Sequence, residues 1–236
     1  MMKNFSNYVL TALQSALRST LRLLLMTGIV TTGLNLMFYP TSYAAEKTPA
    51  TILVLGDSLS GAYGLNADEG WVTLLQQQVN QQGYHYKVVN VSVSGDTTRT
   101  GLNRLEPALK MHKPDIVIIA LGANDGLRGL PFSEIDNSLG KIIERFKQGD
   151  ARILLVGVRL PPNYGPVYNQ KFVELYQRLA DVYEIPLVPR MLDQVAENRE
   201  LMQQDGMHPK AIAQPQIMRN IWAGLKPLLD QNIKKD

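Results

Sequence analysis

The sequence predicts an α/β fold, a three-layer sandwich in which helices cover both faces of a five-stranded parallel sheet. Five short runs are rich in Val, Ile and Leu, and longer amphipathic stretches lie between them. Strands that are apolar along their whole length are typical of a parallel sheet that is buried on both faces. The alternation favours the same arrangement, because parallel strands need long crossover connections and these are usually helical.

The predicted strands and helices follow one another in regular order. The strands are TILVLG (51–56), YKVVNVS (86–92), DIVIIALG (115–122), RILLVGV (152–158) and IPLVP (185–189). The amphipathic stretches that we interpret as helices lie near residues 68–82, 98–112, 133–148, 167–184 and 210–231. In a sheet of this kind the ligand crevice lies beyond the carboxyl ends of the strands, where the strand order reverses.

The first 44 residues do not resemble a globular domain. Residues 1–22 contain three basic residues and no acidic one, an apolar run follows at 23–39, and Ser42-Tyr43-Ala44 is a small-x-small cleavage pattern. This order is typical of a secretory signal peptide. We therefore expect cleavage before Ala45 and a single domain over 45–236, located in the periplasm or secreted. The alternative is an uncleaved N-terminal anchor, since about 17 apolar residues are close to the length that spans a bilayer.

Charge and cysteine content exclude several classes of function. Residues 45–236 contain 21 basic and 21 acidic residues, so the excess of basic residues in the whole chain comes from the leader. The sequence has no basic stripe with interleaved aromatic residues, and it therefore gives little support to nucleic-acid binding. The absence of cysteine excludes disulfides, thiol nucleophiles and cysteine metal sites. The three histidines are scattered, so we expect no metal and no cofactor.

Polar motifs follow the first three predicted strands at their carboxyl ends. GDSLS (56–60) follows the first strand, SVSGDT (92–97) follows the second, and LGANDG (121–126) follows the third. A fourth motif, DGMHP (205–209), lies just before the last predicted helix. Because the carboxyl ends of parallel strands share one edge of the sheet, we expect all four motifs to meet there.

Each motif also has an ordinary structural interpretation. The position of Ser58 is typical of a turn residue or a helix cap. Gly95 could serve only to give a turn a positive φ, and Asn124 begins Asn-Asp-Gly, which is a common turn sequence. Asp205 and His208 are harder to explain in this way. A carboxylate three residues before an imidazole, in a loop, can fold back to hold the ring.

Acyl transfer by a serine needs the groups that these motifs supply. A base must take the hydroxyl proton, and an anion must orient that base and stabilise its cation. Hydrogen-bond donors must also face the oxyanion of the tetrahedral intermediate. The candidate donors are the backbone N–H groups of Ser58 and Gly95 and the side-chain amide of Asn124. We expect glycine at position 95 because a Cβ would crowd the oxygen that approaches its N–H.

The four motifs, in this order and spacing, resemble the four blocks of the SGNH, or GDSL, hydrolases over residues 51–232. GANDGLRGL, RLPPNYG (159–165) and DGMHP with the later AQP (213–215) are similar to the bacterial periplasmic thioesterase I, lysophospholipase and arylesterase group. This resemblance implies a flavodoxin-like sheet, with the serine on a loop and short helical turn rather than on a nucleophile elbow. One departure is Ala123, where close relatives often have Gly.

The resemblance also implies a role for each site residue. Ser58 is expected to be the nucleophile, His208 the general base and Asp205 its orienting partner. Ser58, Gly95 and Asn124 are expected to form the oxyanion hole.

We expect a serine hydrolase that acts on acyl esters and thioesters through an acyl-enzyme intermediate. The segments LRGL (127–130) and RLPPNYG are largely apolar, and the second contains a tyrosine, unlike the Trp- and Asn-rich segments that bind sugars. The acyl chain is predicted to contact Leu127, Leu130, Leu160 and Pro161. We expect a monomer, with membrane lipids bound only as substrates. Two alternatives are a carbohydrate O-deacetylase of the same fold and a catalytically silent lipid-binding module.

Overall fold

The computed structural model describes residues 48–233, together with residues 16 and 18. The cleavage site predicted before Ala45, and the predicted leader apart from those two positions, lie outside the described residues. The chain from Thr48 onwards forms one compact unit. In the part of the chain that is described, none of the helices is both long and apolar enough to cross a membrane.

Five parallel strands form one sheet, and this confirms the predicted fold class. The strands are β1 (Ala50–Gly56), β2 (Tyr86–Asn90), β3 (Ile116–Ala120), β4 (Arg152–Val156) and β5 (Leu187–Val188). Their order in the sheet is β2-β1-β3-β4-β5, which is the flavodoxin-like order. The strand order reverses between β1 and β3, so the crevice for a ligand lies at the carboxyl ends of these two strands.

Helices cover the sheet on both faces. The helices are α1 (Trp71–Gln81), α2 (Thr98–Asn103), α3 (Leu105–His112), α4 (Ala123–Leu127), α5 (Phe132–Lys147), α6 (Pro166–Tyr183) and α7 (Gln214–Ile233). One face of the sheet carries α1 and α7, and the other carries α2, α5 and α6. Within residues 48–233, four short 3₁₀ helices lie in the connections, at Ala67–Glu69, Pro162–Tyr164, Arg199–Leu201 and Ala211–Ala213.

The core lies on the central strands and gives the site a rigid base. All five residues of β3 are buried, and the four residues 52–55 of β1 have no exposed surface. Each fully buried Leu, Ile or Val contributes about 1.5–3 kcal/mol through removal of apolar surface from water. The loops at the carboxyl ends of β1 and β3 therefore extend from strands that are buried in the core.

The stretch predicted as one helix near 98–112 is two helices, α2 and α3, which meet at Arg104. Pro107 explains the break, because proline has no N–H to donate and its ring clashes with the carbonyl four residues earlier. Arg104 itself turns back toward the loop after β2, where Nε lies 2.5 Å from a carboxylate oxygen of Asp96. The break thus lets a charged side chain support one of the loops that form the site.

Candidate active site

Ser58 lies in the turn that directly follows β1. The N–H groups of Ser60 and Gly61 donate to the carbonyl of Asp57, at 3.1 and 2.9 Å, so the chain turns as soon as the strand ends. Gly56 permits this turn, because a Cβ there would lie 2.6 Å from the hydroxyl oxygen of Ser60. The serine therefore reaches the edge of the sheet without the strained strand-to-helix elbow of α/β-hydrolases.

Asp205 and His208 form a self-contained turn before α7. One carboxylate oxygen of Asp205 accepts hydrogen bonds from the backbone N–H groups of Met207 and His208, at 2.9 and 3.0 Å. The other oxygen lies 2.6 Å from Nδ1 of His208. Burial acts to raise the pKa of Asp205, but these hydrogen bonds and the charge of the imidazolium outweigh it and lower that pKa to about 2. Asp205 is therefore an anion that holds the ring through Nδ1.

The imidazole of His208 also contacts Ser58. Nε2 lies 2.9 Å from Oγ of the serine, although the two residues are 150 positions apart in the chain. When Nδ1 donates to Asp205, Nε2 is an acceptor that can take the hydroxyl proton. A continuous hydrogen-bonded chain thus runs from a hydroxyl through an imidazole to a carboxylate, and this arrangement activates a serine for nucleophilic attack.

Gly95 lines the same cavity as Ser58, on the loop after β2. Its φ of +84° is a conformation that favours glycine. A Cβ at this position would have a guanidinium nitrogen of Arg128 as its nearest neighbour, 4.0 Å away. The backbone conformation alone is therefore a reason for glycine at this position. The crowding expected from the sequence concerns the oxygen of a bound substrate, and it stays a prediction.

Asn124 is the second residue of α4 and also lines the cavity. Its Nδ2 donates a 2.9 Å hydrogen bond to the carbonyl of Asp96, which fixes the side chain against the loop after β2. The neighbouring Asp125 is buried and accepts from the N–H and the hydroxyl of Thr98, at 2.9 and 2.6 Å. These bonds join the loops that follow β2 and β3. The second N–H of the Asn124 amide is the group that can bind an oxyanion.

Asp57 is a buried carboxyl that sequence reasoning did not single out. The residue is 1% exposed, and one of its oxygens accepts from the N–H of Leu59 at 3.0 Å. The other oxygen is buried without a hydrogen-bond partner among the described residues. Burial raises the pKa of Asp57 to about 6, although the Leu59 bond and the charge of His208 act to lower it. The folded protein therefore keeps this carboxyl protonated to a higher pH than the unfolded chain does.

We expect Asp57→Asn to make the free energy of unfolding less dependent on pH. Because the folded pKa lies above the unfolded one, the contribution of Asp57 to stability is complete below about pH 4 and is lost as the pH rises to about 6. Between about pH 4 and pH 7.5 the variant should gain about 2 kcal/mol relative to the wild type. Urea unfolding at both pH values tests this, and an equal difference at both would contradict it.

A cavity of about 480 Å³ lies beside the serine and the histidine. Three of the four residues predicted to contact an acyl chain line it, namely Leu127, Leu160 and Pro161. Leu130 is not part of the wall, and the structure corrects that prediction. Gly129, with a φ of +65°, turns the chain at the end of α4, so the residue after it does not continue the row that Leu127 begins.

Sequence reasoning missed two further parts of the site. The segment after β5 supplies Leu192 and Ala196 to the cavity wall, but it carries neither a strand pattern nor a motif. Tyr63 covers the imidazole, with its ring centroid 4.4 Å from that of His208. Its place five residues after the serine, at the end of GDSLSGAY, is the one signal that could have indicated it. Among the described residues, no group of three or more His, Asp or Glu side chains could hold a metal ion.

Residues 54–214 match the model of the GDSL-like Lipase/Acylhydrolase family. This span contains Ser58, both loops with the predicted oxyanion donors, and the Asp205–His208 turn. The chain belongs to that family. It is therefore a hydrolase of the lipase and acylhydrolase type, and the recognition made from the four motifs is confirmed.

Individual members of the family are similar over most of the chain. Esterase TesA of Pseudomonas aeruginosa is 43% identical over 204 residues, which cover 86% of this chain and 100% of the relative. Thioesterase 1/protease 1/lysophospholipase L1 of Escherichia coli K12 is 40% identical over 182 residues, 77% of this chain and 86% of the relative. The crystal structure of the psychrotrophic esterase EstA from Pseudoalteromonas, inhibited by monoethylphosphonate, is 37% identical, covers 76% of this chain and 98% of that one, and has a TM-score of 0.73.

Proposed function

We propose that the chain hydrolyses acyl esters and acyl thioesters through an acyl-enzyme intermediate on Ser58. The observation that carries the proposal is the hydrogen-bonded chain from Ser58 through His208 to Asp205 beside a cavity. As Oγ attacks the acyl carbonyl carbon, Nε2 takes the hydroxyl proton and the carboxylate stabilises the imidazolium. The imidazolium then gives its proton to the leaving alcohol or thiol. A water molecule attacks the acyl-enzyme in the same way and releases the acid.

Three N–H donors are available to stabilise the oxyanion that forms when the serine is acylated and again when water releases the acid. They are the backbone N–H groups of Ser58 and Gly95 and the side-chain amide of Asn124, on the loops after β1, β2 and β3. Because the loops extend from neighbouring strands and are joined by side-chain hydrogen bonds, the donors are held in place before the substrate arrives. Such preorganised donors are worth most where charge develops in the transition state.

The cavity wall favours an apolar acyl group over a sugar. Leucine side chains at positions 59, 127, 160 and 192 contribute to it, together with Val158 and Met202. The relatives are named esterase, thioesterase and lysophospholipase, and all three names refer to acyl substrates. Inhibition of EstA by a phosphonate also supports a nucleophilic hydroxyl, since phosphonates mimic the tetrahedral intermediate of acyl transfer. A cavity of about 480 Å³ is larger than an acetyl group needs, so a carbohydrate O-deacetylase fits it less well.

The test is a chain-length series of p-nitrophenyl esters and acyl thioesters with residues 45–236. Each methylene that contacts the apolar wall should add about 0.8 kcal/mol, which raises kcat/KM roughly fourfold until the cavity is full. Leu127→Ala should reduce this rise, because it removes part of the wall. Leu130→Ala is the matched control, since it truncates the same residue type outside the wall, and it should keep the rise. A wild-type series with no dependence on chain length would contradict the acyl-chain assignment.

We further propose that residues 1–44 direct export to the periplasm and are removed before Ala45. The acid-free basic start, the apolar run at 23–39 and the Ser-Tyr-Ala pattern support this. The intact mass of the exported protein would then correspond to residues 45–236, whereas an anchored protein would keep the apolar run and remain in the membrane fraction.

A further inference from the structure

The serine and the Asp205–His208 turn lie on two segments that are far apart in sequence. The turn organises itself, because among the described residues the hydrogen bonds to the Asp205 carboxylate come from within residues 205–208. Nothing in that turn fixes its distance from Ser58. The 2.9 Å contact between Nε2 and Oγ therefore depends on whatever joins residues 57–64 to residues 202–209.

Two contacts make that connection, the packing of the Tyr63 ring on His208 and a hydrogen bond from the side chain of Gln203. Within residues 48–233, one direct hydrogen bond joins the two segments besides the serine–histidine contact, and it runs from Nε2 of Gln203 to the carbonyl of Tyr63 at 2.8 Å. The same Nε2 donates to the carbonyl of Pro209 at 3.1 Å. The backbone N–H of Gln203 also donates to the carbonyl of His208, at 2.7 Å. Gln203 thus contacts the residues on both sides of the gap that Ser58 and His208 must bridge.

The serine loop is shaped to receive this side chain. Gly64 has a φ of +74°, and a Cβ there would lie 2.5 Å from Oε1 of Gln203. Glycine at this position therefore leaves the space that the amide occupies. The carbonyl that accepts the hydrogen bond belongs to Tyr63, whose ring packs on the imidazole with a centroid distance of 4.4 Å and an interplanar angle of 36°. The amide consequently fixes the backbone from which that ring extends.

We propose that Gln203 is a positioning residue that sets the distance between Oγ of Ser58 and Nε2 of His208. It does not line the cavity, so it acts without touching the substrate. The inference rests on the proposed roles of Ser58 and His208 in acyl transfer. A displacement of about 1 Å in a catalytic group can lower the rate roughly 100-fold. Loss of the hydrogen bond from Gln203 to the carbonyl of Tyr63 should therefore lower kcat and leave KM nearly unchanged.

Gln203→Glu is the first variant, because it keeps the shape of the side chain and places a carboxylate against two carbonyl oxygens. We expect kcat on p-nitrophenyl butyrate to fall about 10- to 100-fold with little change in KM. Gln76→Glu is the matched control. Gln76 also joins two elements, α1 and β2, by donating to the carbonyl of Tyr86 at 3.0 Å, but it is remote from the cavity. This control should lower the melting temperature and keep kcat.

Gly64→Ala tests the same hydrogen bond from the serine loop, where the Gln203 amide is received. Its control is Gly83→Ala, because Gly83 has a φ of +76° and a Cβ there would have no atom of the described residues within 4 Å. Both substitutions carry the same backbone strain, and only the one at position 64 displaces Gln203. We expect kcat to fall in Gly64→Ala and to stay at the wild-type value in Gly83→Ala. This pair decides the question even if Gln203→Glu does not fold.

The outcomes separate this inference from the proposed function. Wild-type kcat in Gln203→Glu or in Gly64→Ala, with Ser58→Ala inactive, would overturn the positioning role and leave the acyl-transfer proposal intact. Equal losses of kcat in Gln203→Glu and Gln76→Glu would also overturn it, because the effect would then be general destabilisation. Turnover that survives Ser58→Ala would instead remove the proposed function itself.

Discussion

Ser58→Ala and His208→Ala should each lower kcat by about 10⁴- to 10⁶-fold. The two side chains share one hydrogen bond of 2.9 Å, and the serine is a weak nucleophile unless the imidazole takes its proton. Activity on p-nitrophenyl esters, with the melting temperature measured alongside, tests this. Asp205→Ala should cost less, because the imidazole can still accept the proton when its orientation is less well held.

The double variant Ser58→Ala/His208→Ala should be little worse than either single variant. Residues that act as one unit lose their joint contribution when the first of them is removed. Losses that add up in the double variant would show that the two side chains act independently. The residual rate should come from the oxyanion donors and substrate binding alone.

Asn124→Ala should lower kcat by roughly 10²- to 10³-fold while KM changes little. An amide placed for the oxyanion strengthens its hydrogen bond as negative charge develops, so its loss affects the transition state more than the bound substrate. The variant also loses the 2.9 Å bond to the carbonyl of Asp96. Because Asp125 still joins the same two loops through Thr98, we expect the melting temperature to stay close to that of the wild type.

Asn124→Asp is the companion variant, because it keeps the shape of the side chain and replaces the N–H donors with a carboxylate. It should be at least as slow as Asn124→Ala, since an anion repels the oxyanion. Full kcat in Asn124→Ala together with a melting temperature several degrees lower would show that Asn124 is a turn residue and not an oxyanion donor.

The parts of the site that lie at strand ends were predictable from the sequence. A parallel sheet brings the carboxyl ends of its strands to one edge, so the motifs after β1, β2 and β3 had to converge once the strands were recognised. The Asp205–His208 contact was predictable for a local reason. A carboxylate three residues before an imidazole in a turn lies within reach of its ring.

Other features depend on packing that no short pattern records. Burial raises the pKa of Asp57 to about 6, and no residue pattern around position 57 indicates that the folded chain excludes water there. Leu130 was predicted to line the cavity because it belongs to the apolar segment 127–130, but the turn at Gly129 separates it from Leu127. Gln203 contacts Tyr63 across 140 positions of sequence, and its role follows only from the folded loops.

The most direct measurement of the central claim is the site at which a fluorophosphonate attaches to the folded protein. Peptide mass spectrometry of the labelled wild type should place a single adduct on Ser58, and labelling should be lost in Ser58→Ala and strongly slowed in His208→Ala. Ser94→Ala removes another serine from the same cavity and should keep the adduct. An adduct on a residue other than Ser58, or labelling of Ser58→Ala at the wild-type rate, would contradict the account.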